Sequence, residues 1–379
     1  MKKRVVLIAV IYIITLAVMA IACSHGEPEV AEVIIIPEPT PTPTPVPTPE
    51  PESEIDLTGL AVNPMTGLFV DEETAVRRPV AVVVNNLRRA LPQSGISQAD
   101  IVYEVLAEGD VTRLVALFRD FDSEKIGPVR SARDYFLIFA ADHDAIFIHH
   151  GASPQGYNII RNHGVNNLDG MREATTFWRD QERLRQGAFM LEHSSYTDAE
   201  RIFESIERRG FRADVAEGAA SVFAFFNPFE DDLFIPTGAS AVMITVPYSR
   251  NYTRRFEFDA ERGVYAVFQG DAPHIDEETG EQLTVTNVLV QTAVSRVIDN
   301  EGRRDVTLIG SGTGILFTGG GEVPVRWEKP NFHTPTRWTL ENGAPMTMNP
   351  GQTWVNVFGG EVIVLAEFEL EFDEDEPFA

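Results

Sequence analysis

Two guanidiniums three residues apart are the groups best placed to do chemistry. They lie in Gly127-Pro128-Val129-Arg130-Ser131-Ala132-Arg133, a loop running into a helical pattern. Free N–H groups at a helix start and the planar forks of Arg130 and Arg133 both favour a phosphate or carboxylate. Ser131 is positioned to cap that helix, with Asp134 as its capping-box partner. Arg113 and Arg119 come from the preceding strand and border the loop. The competing reading pairs both loop arginines with acids such as Asp134, Asp120 or Asp122. A second cluster, Asp142-His143-Asp144 with His149-His150, combines imidazole and carboxylate, the groups of an acid/base pair or a metal site. His149 and His150 point to opposite faces of a strand, so at most one joins a given site. Asn85-Asn86, Gln93-Ser94, Asp100 and Glu104 flank strands and can reach the same mouth, although each alone is an ordinary turn or cap residue. The expected anion site is therefore Arg113, Arg130, Ser131 and Arg133, with Glu104 and His149 beside it. No metal and no cofactor is expected.

Other signatures are missing. There is no G-x-S-x-G elbow, no H-E-x-x-H helix and no G-x-x-x-x-G-K-[ST] loop. Gly310-Ser311-Gly312-Thr313-Gly314 lacks a following helix and reads as a hairpin turn rather than a dinucleotide loop. The 379 residues carry 31 Lys+Arg against 57 Asp+Glu, a net charge of -26, which argues against nucleic-acid binding. The single cysteine, Cys23, excludes a disulfide framework, a multi-cysteine zinc site and any later thiol nucleophile.

The elements that must position these residues fall into two groups. From residue 79 to residue 200 strand and helix signals alternate. Pro79–Val84, Ile101–Leu106 and Val111–Phe118 read as strands, the last two joined by a turn at Glu108-Gly109-Asp110. Ala132, Tyr135, Phe136, Phe139 and Ala140 share one helical face. Ile146–Ile148 is a short strand, and Thr197 opens a helix that closes at Arg208-Arg209-Gly210. After Gly218 the signals are strands: Ser221–Phe226, Ala241–Val246, Arg254–Phe258, Val264–Phe268, Leu283–Val290, Val306–Ile309 and Trp354–Phe358. The expected fold class is α+β, a mixed α/β N-terminal domain (57–216) followed by a mainly β C-terminal domain (217–366). An acidic tail occupies 367–379. Composition loses bulky apolar residues near 213–220, so the two domains are expected to fold separately there.

Residues 1–22 read as a targeting segment. Lys2, Lys3 and Arg4 precede an 18-residue uncharged run, Val5–Ala22, and small residues Ala20 and Ala22 stand before Cys23. This pattern resembles a bacterial lipoprotein signal, with Cys23 lipidated and becoming the mature N-terminus. An uncleaved membrane anchor and an ordinary secretory signal are the two rival readings. The lone cysteine at this one place favours the first. All three put the rest of the chain outside the cytoplasmic membrane. Removing residues 1–22 leaves 28 basic against 57 acidic residues, -29. Within the spacer at 23–56, Pro37–Pro51 has proline at eight of fifteen positions. It favours an extended polyproline rod of roughly 45 Å that lifts the folded part off the bilayer.

Several stretches together resemble a known family, the YerB-like lipoproteins of Gram-positive bacteria. They are Asn63-Pro64-Met65-Thr66-Gly67-Leu68, the run Pro92 to Glu104, Glu108 to Arg113, and, most specifically, Gly127 to Arg133. His193-Ser194-Ser195-Tyr196-Thr197 is similar to a H-N-x-Y-T element, with serine in place of the usual asparagine. Val325-Arg326-Trp327-Glu328-Lys329 and Asn349 to Trp354 are similar to the C-terminal part. The resemblance covers roughly 57–359. It implies two domains of unknown function and supplies no reaction and no catalytic residues. Three functions follow as expectations. The first is a lipid-anchored protein on the outer face of the cytoplasmic membrane that binds peptidoglycan, another wall component or an envelope protein. The second is a wall-modifying hydrolase using carboxylate and His residues of the N-terminal domain. The third is capture of a small anion at the Gly127–Arg133 loop.

Overall fold

The computed structural model describes residues 57–367, apart from 228 and 230–232. The signal segment, the lipidation at Cys23, the spacer and all of the acidic tail after Glu367 lie outside the described residues.

The first half contributes strands β1 (Val80–Asn85), β2 (Ile101–Leu106), β3 (Thr112–Phe118), β4 (Ile146–His149) and β5 (Asn167–Asp169). Helices α1 (Phe136–Asp142), α2 (Pro154–His163) and α3 (Ala199–Arg208) are interspersed. The second half contributes β6 (Met243–Ser249), β7 (Tyr252–Asp259), β8 (Val264–Gln269), β9 (Asn287–Thr292), β10 (Gly310–Thr318), β11 (Gly321–Lys329), β12 (Arg337–Leu340), β13 (Thr353–Phe358) and β14 (Ile363–Leu365). The fold is thus α+β, with the helices concentrated in the first half and the second half mainly β.

The two halves do not carry separate cores. A ten-stranded sheet runs β12-β11-β10-β9-β13-β2-β3-β1-β4-β5. β13 is parallel to β9 on one side and to β2 on the other, with Trp354 opposite both Val288 and Val102. The expectation of separately folding domains is corrected by this insertion. The stretch 213–220 is poor in apolar bulk because it crosses the surface: Arg78 N–H donates to Ala213 O, and Val215 N–H to Val76 O.

Strand alternation sorts side chains into two apolar layers. Val82, Val102, Leu114 and Ala116 face one way, against α3 and the β6–β8 sheet through Ile202, Phe256 and Val267. Ala81, Tyr103, Val115 and Leu117 face the other way, against α1. β1 is buried along its whole length, which is why it reads as an unbroken apolar run rather than an alternating one.

Three local expectations change. Ser131 caps no helix; α1 starts at Phe136, and its N-cap residue Tyr135 makes no side-chain cap. The residues between are held by strand-like contacts, since Ala132 N–H donates to Gly151 O. The cap of α3 is Asp198, whose carboxylate accepts from Arg201 N–H, while the Thr197 hydroxyl donates to Thr176 O. The Gly310–Gly314 run is the first half of β10, not a turn. A Cβ on Gly312 would come within 2.6 Å of the Trp327 ring, so close packing explains the glycine.

Asp100 anchors the Asn63 loop to the start of β2. Its carboxylate accepts from Asn63 Nδ2 at 2.8 Å and from Arg119 N–H at 2.6 Å. Burial pushes its pKa up to about 7, against the downward pull of those two bonds. A raised carboxylate pKa means that its contribution to stability is complete below the unfolded value near 4 and is lost as pH rises towards 7. Comparing chemical denaturation of the protein with that of Asp100→Asn across this window should show the difference in stability moving against the native protein as pH rises. A constant difference rejects the assignment.

Candidate functional site

The Gly127–Arg133 segment lies across the carboxyl ends of β1 and β4, two parallel neighbours. Arg130 N–H donates to Val83 O at 2.8 Å, and His150 N–H donates to Arg130 O at 3.0 Å. Val129 N–H donates to Ser195 O at 2.6 Å. These bonds fix the Arg130 backbone between two strand ends and the Ser195-Tyr196 strand, so its side chain starts from a rigid base.

Arg130 stands between two adjoining pockets. One, of about 650 Å³, includes His150, Tyr157, Met171, Arg179 and Leu191. The other, of about 380 Å³, includes Glu108, Arg113, Arg133 and Arg303. Arg130, Ser131 and Ala152 line both. Together they collect five guanidiniums (113, 130, 133, 179 and 303) against three carboxylates (108, 192 and 301).

The guanidiniums differ in how far they are committed. Arg133 is fully engaged, giving Nε and Nη2 to Glu108 and Nη1 to the Ala132 carbonyl. Arg113 gives Nη1 to Ser131 O at 2.8 Å and Nη2 to the same Glu108 at 3.2 Å. Burial, then the nearby Arg133, push the pKa of Arg113 down to about 9, with Glu108 opposing. Burial raises the Glu108 pKa, but the Arg133 bond and the two positive charges outweigh it and leave it lowered. Arg130 is the least engaged: Nη2 meets Glu192, whose side chain is 49% exposed, and Nε is buried without a partner.

His150 lines the larger pocket, whereas its neighbour does not. Arg179 Nη2 lies 3.0 Å from His150 Nε2, and Ser195 Oγ lies 2.8 Å from Nδ1. Arginine only donates, so Nε2 accepts and Nδ1 carries the proton towards Ser195. Burial, then Arg179, push the His150 pKa down to about 4. The ring is therefore neutral at pH 7 and donates to Ser195; it is not the base that would activate that hydroxyl.

Glu104 and His149 are both held elsewhere. One position along a strand reverses the face, so Glu104 on β2 lies on the opposite side of the sheet from Arg113 on β3. Glu104 is fully buried in a pair with Arg254, Nε–Oε2 2.7 Å. His149 is fully buried under α2, with Nδ1 2.8 Å from Gly151 O and Nε2 3.2 Å from Asn167 Oδ1. Burial raises the pKa of its neighbour Asp169, but bonds from Met171 and Gly151 N–H oppose it, and the pKa is left lowered. Arg119 directly follows the last residue of β3, six residues and roughly 20 Å from Arg113, beyond the other end of that strand. Sequence reasoning missed Arg179, Glu192 and Arg303. Only Glu192 had a signal, one residue before the His193–Thr197 element.

A family model described as the N-terminal domain of a protein of unknown function, DUF3048, matches residues 65–212, and its C-terminal domain model matches 244–355. The chain is 33% identical over 297 residues to the "Putative lipoprotein YerB" of Bacillus subtilis (strain 168), covering 78% of this chain and 85% of that one. The crystal structure of the YerB protein from Bacillus subtilis superposes with a TM-score of 0.69 at 31% identity, over 79% of this chain and 98% of the other. Matched in both domains and along most of its length, the chain belongs to the DUF3048 family of YerB-like proteins.

Proposed function

We propose that this chain is a lipid-anchored protein on the outer face of the cytoplasmic membrane, in an envelope of Gram-positive type, and that its Arg130 groove captures an anionic component of the wall. The anchor reading rests on the basic start, the apolar run and Cys23, and on the lipoprotein name of a relative. No helix among the described residues is long and apolar enough to cross a membrane. Cys23→Ala should shift the protein from the membrane fraction to the medium or leave an unprocessed precursor. A mutant that stays membrane-bound at mature size defeats the anchor.

One observation carries the ligand reading. On a chain of net charge -26, guanidiniums outnumber carboxylates five to three around the two adjoining pockets that Arg130 lines. Arg130, least committed among them, has a planar fork suited to carboxylate or phosphate. Its one partner, Glu192, is exposed, and such a pair contributes at most about 1 kcal/mol. Arg130→Ala should therefore leave the fold intact. It should weaken binding of muropeptides or a hexose phosphate by about tenfold to a hundredfold, the loss of one charged hydrogen bond. Glu192→Gln should strengthen binding by freeing the fork. Thermal shift and calorimetry read both; equal affinities across the native protein and the two variants would reject the groove as a binding site.

A further inference from the structure

A second cavity lies at the opposite end of the ten-stranded sheet. It has about 570 Å³ and lies beside the C-terminal end of α1, with Arg119 and His143 in its wall. That volume is in the range of small-molecule sites. We propose that it binds a small carboxylic acid with an aromatic or branched apolar body, the carboxylate on Arg119.

The argument begins with an unbalanced charge. Five arginines are buried among the described residues: 78, 113, 119, 183 and 254. Four have a carboxylate within 4 Å, namely Asp144, Glu108, Glu277 and Glu104. Arg119 has none, although it is only 4% exposed. Its Nη1 donates to Ala75 O at 2.5 Å, and its Nε is buried without a partner. Nearby Asp100 accepts from the Arg119 main chain, not from its guanidinium. Asp100 stabilises the Arg119 charge from a distance, but no carboxylate pairs with the guanidinium directly, and a bound carboxylate would supply that direct partner.

The acids lining the cavity are already taken, so they do not compete. Asp142 accepts from Lys329 Nζ at 2.5 Å and from the Thr336 hydroxyl at 2.7 Å. Asp144 accepts from Arg212 Nη2 at 2.6 Å and sits 3.4 Å from Arg78 Nη2. His143 meets Tyr103 OH through Nε2 at 2.8 Å; burial, then Arg119 and Lys329, hold its pKa down to about 3, so it is neutral. With Asp142 paired to Lys329 and Asp144 to Arg212 and Arg78, Arg119 is the lining charge without a direct ion pair.

The wall also has an apolar part, and it ends in rings. Met65, Ala140 and Val222 lie along it. At the rim, His163 stacks on Phe332 with centroids 4.0 Å apart, and His333 Nε2 lies 3.1 Å from His163 Nδ1. A flat ring can extend this stack while its acid group reaches the guanidinium.

The test uses the purified full chain, calorimetry, and the probes phenylacetate and phenylacetamide, which differ in the charged group. Phenylacetate should bind saturably and the amide at least tenfold more weakly. Phe332→Ala, at a partly exposed rim position, should weaken phenylacetate by about tenfold without unfolding the protein. Arg119→Lys should reduce the preference for acid over amide. A hexose phosphate, the probe of the Arg130 groove, should not compete with phenylacetate, which separates this cavity from that groove. Absence of saturable phenylacetate binding, equal binding of acid and amide, or indifference to Phe332→Ala in a folded protein overturns the assignment.

Discussion

Arg254→Met lowers the free energy of unfolding by about 3–5 kcal/mol, measured by urea titration, because it leaves Glu104 buried without its counter-charge. The pair joins β2 to β7 and so ties the two sheets together. Arg254 reaches Glu104 through Nε at 2.7 Å and Nη2 at 3.2 Å. The same carboxylate accepts from Trp354 Nε1 at 2.9 Å, Thr112 Oγ1 at 2.6 Å and Asn86 Nδ2 at 3.1 Å. Arg254 also donates Nη1 to His274 Nδ1 at 2.8 Å, leaving the His274 proton on Nε2 for Gln93 Oε1 at 2.6 Å. Burial, then Arg254, hold the His274 pKa well below its usual value. Because five donors converge on Glu104, the double variant Glu104→Gln/Arg254→Met should regain only part of the loss: one amide oxygen cannot serve Trp354, Thr112 and Asn86 together. A coupling energy of about 0.5–3 kcal/mol in the double-mutant cycle is expected. Additive effects would show that the pair does not act as a unit.

A second large effect concerns the halves. Residues 57–216 expressed alone should not form a stable structure, nor should 217–367, whereas the two together should assemble. Without β13, β2 has an unpaired edge in the middle of what is now one sheet. The first half also loses the β6–β8 sheet that covers Val82, Val102 and Leu114. Two ion pairs whose partners are both buried break as well: Glu104 with Arg254, and Asp142 on α1 with Lys329 on β11. Circular dichroism and amide exchange of each fragment, alone and mixed, decide the matter. A cooperatively folded 57–216 fragment would restore the separate-domain picture.

The strands of the first half were legible because each carries its own short-range signal. Val80–Val84 is a β-branched run, and Glu108-Gly109-Asp110 turns the next two strands through positive φ at Gly109 and Asp110. The insertion of β13 was not legible, because Trp354–Phe358 looks like any buried strand and nothing local names its neighbours. Ser131-Ala132-Arg133 looked like a helix start because Ala132 and Tyr135 fit the period; a bridge from Ala132 to Ala152 overrode it. Of the expected site, Arg113, Arg130, Ser131 and Arg133 do line one pocket. Glu104 and His149 miss it because strand parity and burial depend on register, which sequence spacing does not reveal. Arg179 was invisible for the opposite reason: it comes from a two-residue strand, Trp178–Arg179, too short to show a pattern.

The position of β13 also bears on the order in which the molecule can be completed. Thr353 pairs with Ile101, so neighbours at the middle of the sheet are separated by most of the described chain. Emerging N-terminus first, the polypeptide presents β2 long before its partner exists. The sheet stays open along that edge, with Val102, Tyr103 and Val105 on it, until residues 353–358 arrive. Contacts of such long separation make for slow folding, and an unfilled apolar edge recruits other chains. The late strand therefore works like a keystone. Chains truncated shortly before residue 353 should be a particular burden on whatever machinery holds unfinished polypeptides apart, more so than chains truncated near residue 216, which lack the second half of the sheet as well as its closing strand.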